Sequence, residues 1–204
     1  MTAGEAWYAS HAWRPSFLEG TATFAYEVAL QFGSDGDRPP GVTGRPAPLP
    51  DPEPPLSVPD AVVVPVGHGT LLLGAARGFR RLRAVGWTDR VPRLLGVQAA
   101  GYDPIARAFG TDREGSNDRA DGIRVREPVR RGAIVEAIRS TGGDCVAVGA
   151  AAVERELDRL HRAGLYTEAT CAVAPAGLET YRERGDVEPD DGVIVALTGS
   201  GMKD

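Results

Sequence analysis

Lysine is almost missing from this sequence. Of 23 basic residues in 204, only Lys203 is a lysine; the rest are arginine. That excludes a phosphate-gripping Walker lysine from the body of the chain, and it leaves one side-chain amine for Schiff-base chemistry, at the penultimate position. Cysteine is nearly as scarce. Cys145 and Cys171 stand apart, without CxxC spacing or a nearby histidine pair, which excludes a zinc framework and a disulfide scaffold and points to a cytoplasmic chain. No apolar run approaches the roughly 18 to 20 residues of a membrane span, and the opening MTAGEAWYASHAW lacks the basic and apolar regions of an export signal. Neither a membrane anchor nor a leader is expected. Basic charge is outweighed, 23 against 28 acidic residues for a net charge of -5, which argues against a nucleic-acid binder.

What remains is a globular composition, 42% hydrophobic, long enough for one sizeable domain. Aromatic residues Trp7, Tyr8, Trp13 and Phe17 crowd the start, as if the chain began in mid-structure. The spacing of Phe24, Ala25, Val28, Ala29 and Phe32 predicts a helix over 20–32. Residues 33–59 then hold nine of the sixteen prolines, which forbids helix and reads as an extended insertion. Beyond it, strands are expected at 61–66, 93–98, 144–148 and 192–197. Helices are expected at 71–85, 104–109, 131–140, 150–163 and 169–184. Strands alternating with helices predict an α/β fold, a mostly parallel sheet flanked by helices.

Two local patterns can carry chemistry. In VPVGHGTL, residues 64–71, a buried strand ends, two glycines permit a tight turn and a helix begins. Amides at such a helix start converge on an anion. The pattern is not a dinucleotide fingerprint, since Leu72 stands where its last glycine would be, and a plain structural turn is the competing reading. The second is the terminal LTGSGMKD, where a strand leaving the sheet presents Thr198 at the edge at which α/β ligands collect; a polar tail is its competitor. His11 and His161 have no evident partners, and His68 lies inside the glycine turn, where its backbone counts for more than its ring. Ser200 sits in Gly-Ser-Gly and no ordered Ser/His/Asp set is visible, which excludes serine-hydrolase chemistry.

These patterns fall into a longer series: YASHAWRPSFLEGTATFAYE at 8–27, PDAVVVPVGHGTLLLGAARGF at 59–79, PRLLGVQAAGYDPIARAF at 92–109, GLYTEATCAVAPAGLE at 164–179 and DGVIVALTGSGMKD at 191–204. In that order they resemble the C-terminal half of threonine synthase-like enzymes, in the tryptophan synthase β-type (fold type II) group of pyridoxal-phosphate enzymes. The resemblance implies the large-domain part of that fold, pyridoxal 5'-phosphate as cofactor, and β/γ elimination or replacement on a small amino-acid substrate. It implies that Gly67, His68, Gly69, Thr70 and Leu71 hold the cofactor phosphate and that Thr198 lies beside the pyridine nitrogen. Glu168 and Thr170 match a segment of the active-site wall.

Departures accompany the match. The family's Schiff-base lysine lies in an N-terminal segment before the matched part, so no catalytic residue is assigned within the 204. Where relatives carry a lysine between two threonines this chain has Ala22. The resemblance therefore implies half of a cofactor site in a truncated or split product, acting as a homodimer or with a companion N-terminal half. The alternative is an inactive binding module that keeps only the phosphate loop.

Overall fold

A computed structural model describes residues 12–32, 56–111 and 115–203, with the side chain of Lys203 left aside. Most of the proline-rich insertion lies outside these residues, as do Trp7, Tyr8 and His11. Four strands form the sheet: β1 Ala61–Pro65, β2 Arg93–Ala99, β3 Asp144–Val148 and β4 Val193–Val195. All pair in parallel in the order β3-β2-β1-β4. The register sets Val63 opposite both Leu95 and Val195.

The strands read as apolar runs because both faces are covered. Val62, Val64 and Leu94 face one core with helices α1 Pro15–Phe32, α2 Thr70–Ala84, α3 Pro104–Arg107 and α4 Arg131–Arg139. Ala61, Val63, Leu95, Val97 and Val146 face a second core with α5 Ala150–Arg162 and α6 Ala169–Glu183. Each fully buried Val or Leu side chain contributes roughly 1.5–3 kcal/mol, so the alternation of residues 61–64 between two cores fixes the register of β1. Tyr181 of α6 is fully buried beneath the sheet.

The helix α1 begins at Pro15, five residues before the expected start at 20. Proline fits a first helical position, and Gly20 sits on the exposed face with nothing within 4 Å of a Cβ. The contact between α1 and α2 is intimate. Ala22, Ala25 and Ala29 are fully buried, Thr21 Oγ1 donates to Thr70 O at 3.1 Å, and a Cβ on Gly78 would overlap Ala22 O. Glu19 ties the same helices together at the surface, pairing with Arg77 at 2.6 Å and Arg81 at 2.7 Å.

At the other end of the sequence, β4 is shorter than the 192–197 run expected. It is half-buried and pairs with β1 on one side; the described residues place no strand on the other. Ala196 N–H makes the last bond, to Val63 O at 3.0 Å, and the chain then leaves the sheet.

Candidate functional site

Because every strand runs the same way, the segments after β1 and β4 emerge side by side at the carboxyl edge of the sheet. After β1, residues 67–69 turn directly into α2. Gly69 adopts φ 73 and ψ 17, a left-handed conformation that a residue with a Cβ rarely takes. A Cβ there would also lie 2.5 Å from Ile134 Cδ1, and one on Gly67 would lie 3.2 Å from Ile123 Cα. The turn is thus packed against two supports, Ile134 and Ile123, and a side chain at either glycine would have to displace one of them.

Leu73 N–H donates to Gly69 O at 2.9 Å. The amides of Thr70, Leu71 and Leu72 precede the helix's own carbonyls and are presented at its start. The first turn of α2 carries no acidic residue, so no carboxylate of that turn neutralises the positive end of its dipole. Such a cradle fits a phosphate group. Gly67 and Gly69 are buried, while His68, Thr70 and Leu71 are half-buried.

After β4, Leu197 and Thr198 are exposed, with Thr198 three residues past Val195 and thus next to the turn that follows β1. Its position is set from α6. Gly199 N–H donates to Cys171 Sγ at 2.7 Å, and the Cys171 thiol donates to Gly199 O at 3.0 Å. Thr167 and Ser200 form an antiparallel bridge, and Gly201 N–H donates to Tyr166 O at 3.1 Å. Sequence reasoning does not single out Cys171 for the site, because a lone thiol without CxxC spacing carries no signal; its contacts join residues 28 positions apart.

A second missed element is the 3₁₀ turn Asp121–Ile123, for which the sequence pattern predicts no element. Gly122 N–H donates to Thr170 Oγ1 at 3.2 Å and the Thr170 hydroxyl reaches Asp121 Oδ1 at 3.5 Å, while Ile123 backs Gly67. Thr170 therefore braces the wall of the site. Glu168 occupies the position before α6, close to Gly199. The loop is held further out by Asp118, which accepts from Tyr102 Oη at 2.7 Å and Ser116 Oγ at 2.9 Å; these hydroxyls, Tyr102 first, hold its carboxyl below the usual range.

The remaining candidates resolve simply. His161, expected to lack partners, contacts Thr167 O at 3.0 Å through Nε2 and lies against the Tyr166 ring, tilted by 42°. Among the described residues no group of three or more His, Cys, Asp or Glu can hold a metal ion, and no helix is long and apolar enough to cross a membrane. A cavity of about 440 Å³ lies between α1 and β4, lined by Phe24, Glu27, Val28, Gln31, Phe32 and Ile194. It sits toward the amino edge, where Phe32 packs on Gly192; ligands of parallel sheets collect at the opposite edge.

Comparison with known proteins gives a consistent picture. Residues 2–199 match the model of a family described as "Pyridoxal-phosphate dependent enzyme". The threonine synthases of Methanocaldococcus jannaschii and Methanosarcina acetivorans are each 29% identical to the chain, covering 97% of it and 45% of their own length. The chain thus spans less than half the length of these curated relatives. Among solved structures, an L-serine ammonia-lyase from the fungus Rhizomucor miehei superposes with a TM-score of 0.64 at 19% identity, over 92% of this chain and 53% of that one. A threonine deaminase from T.th. superposes with a TM-score of 0.62 at 23% identity, over 92% of this chain and 58% of that one. These likenesses show the fold: the α/β sheet is that of a fold type II enzyme.

Proposed function

The chain belongs to the pyridoxal-phosphate-dependent enzyme family, and from that membership we propose that it forms the phosphate- and ring-nitrogen-binding half of a threonine synthase-like enzyme. Its reaction is β/γ elimination or replacement on a small amino acid. The observation that carries this reading is the start of α2, where a left-handed Gly69 and three presented amides face the edge beside Thr198.

When bound, pyridoxal phosphate supplies an electron sink for charge developing on the amino acid. The backbone of Gly67, His68, Gly69, Thr70 and Leu71 binds the phosphate, and the α2 dipole favours its negative charge. Thr198 offers the ring nitrogen a neutral hydroxyl, which orients the ring without holding it protonated as a carboxylate would. Thr170 and the 121–123 turn fix the wall against which both groups are set. The covalent anchor is a lysine outside these 204 residues, in the same polypeptide or in a companion N-terminal half, within a homodimer or a two-chain assembly. Two free, buried cysteines accord with a cytoplasmic location.

A second reading is a non-catalytic module that keeps only the phosphate loop; the one lysine among these 204 residues is Lys203, and Ala22, fully buried in α1, offers no amine.

The test is a titration of the 204-residue chain with pyridoxal phosphate and with pyridoxal, followed by fluorescence. Saturable binding that requires the phosphate is expected. Thr70→Glu is expected to abolish it while leaving the melting temperature intact, since an acid stabilises a helix start but repels an anion. Equal binding of pyridoxal, or none of either, overturns the reading. Borohydride is expected to fix no cofactor; a stoichiometric adduct at Lys203 overturns the external anchor. Turnover restored by a lysine-bearing N-terminal half separates the enzyme from the inert module.

A further inference from the structure

We infer that Cys171 is a positioning residue for Thr198, acting through Gly199; this rests on the proposed role of Thr198 at the cofactor ring. Cys171 is fully buried in the first turn of α6, and its sulfur is the meeting point of the terminal segment. It accepts from Gly199 N–H at 2.7 Å, donates to Gly199 O at 3.0 Å and lies 3.8 Å from Thr198 Oγ1.

A thiol has one proton. With that proton directed to Gly199 O, the sulfur packs beside Thr198 Oγ1 at 3.8 Å without donating to it, which sets the Thr198 side chain while its hydroxyl proton can turn outward to the ring nitrogen. Both polar groups of the Gly199 backbone are thereby satisfied by one side chain, in a segment that has left the ladder of β4. A Cβ at 199 would meet Glu168 Oε1, so the Glu168 side chain packs directly against the Gly199 backbone. The flanking Thr167–Ser200 bridge and the Gly201 to Tyr166 bond fix the rest of the strap. They hold the backbone on the far side of Gly199 and not the side chain at 198. The sulfur thus couples the Thr198 hydroxyl to the rigid helix.

The test compares Cys171→Ala with Cys171→Ser in the full chain. Serine can accept and donate as the thiol does; alanine can do neither. Amide exchange at Gly199 is expected to accelerate about tenfold or more in Cys171→Ala and by less than about threefold in Cys171→Ser. The Thr198 methyl resonance is expected to shift and sharpen with new mobility in Cys171→Ala alone. For pyridoxal phosphate, Thr198→Ala is expected to weaken binding about tenfold in the natural background and less than about twofold beside Cys171→Ala, because the two residues act as a unit. Unchanged Gly199 exchange and Thr198 mobility in Cys171→Ala overturn the inference, as does a fully additive double variant. If the natural chain does not bind pyridoxal phosphate, the proposed function fails, while the exchange and methyl measurements still decide whether Cys171 positions Thr198.

Discussion

The hydroxyl of Tyr181 lies 2.7 Å from the carbonyl oxygen of Gly96 and 3.1 Å from that of Asp144, so one buried phenol on α6 stitches β2 to β3 from below. Tyr181→Phe keeps the ring and removes the stitch. It is expected to destabilise the chain by about 1–2 kcal/mol, the cost of leaving a buried carbonyl short of a donor. Urea unfolding measures this, and an unchanged midpoint would show that the hydroxyl contributes nothing.

Alkali is expected to unfold the protein early. Burial pushes the Cys145 thiol well above its ordinary value of 9.0 and the Tyr181 phenol well above 10.0. Both stay neutral in the folded state while the unfolded chain ionises, so stability is full below about pH 9 and falls as pH rises beyond the unfolded values. Tyr181→Phe is expected to remove the part of the decline above about pH 10, leaving the thiol's share. Melting temperatures from about pH 8 to about pH 11 check both slopes.

Acid acts through Asp60. Gly192 N–H donates to its Oδ2 at 2.8 Å, and Arg90 pairs with Oδ1 at 2.9 Å; these contacts, the amide first, hold its carboxyl below the ordinary 3.8. The contribution is present above that value and is lost as pH falls through the lower folded one. Since Asp60 joins the starts of β1 and β4, Asp60→Ala is expected to speed amide exchange at Val193–Val195 more than at β2. Uniform exchange across the sheet would contradict this.

Gly69→Ala combines two penalties, a left-handed backbone and an overlap with Ile134. Together they are expected to cost about 2–3 kcal/mol. Adding Ile134→Ala relieves the overlap and leaves the backbone term, so the double variant is expected to lose less than the sum of the two single changes. A strictly additive result in denaturant titrations would mean that the turn relaxes without touching α4.

Much of the fold can be read locally. Residues 61–66, 144–148 and 150–163 fall within about a residue of β1, β3 and α5 because apolar runs, glycine breaks and helical spacing act over a few positions. The candidate site divides along the same line. The 67–71 turn and Thr198 are visible as short patterns, whereas Cys171, Gly122 and Ile123 act through contacts 28 to 56 residues away in sequence, as Gly199, Thr170 and Gly67 show. The strand order, which sets β4 beside β1 and so brings Thr198 to the turn, is likewise a product of tertiary pairing. So is the short reach of β4: with β1 as its described partner, only three residues of an apolar run hold the ladder.

The seam between α1 and α2 bears on how this sequence can change over time. Ala22 has no exposed surface, and the opposing Gly78 already brings backbone to within the reach of a Cβ. A larger side chain introduced at position 22 by a single substitution would have to force the two helices apart against a tightly packed interface. Its acceptance would call for prior, compensating changes in α2, so this seam constrains the order in which the two helices can vary.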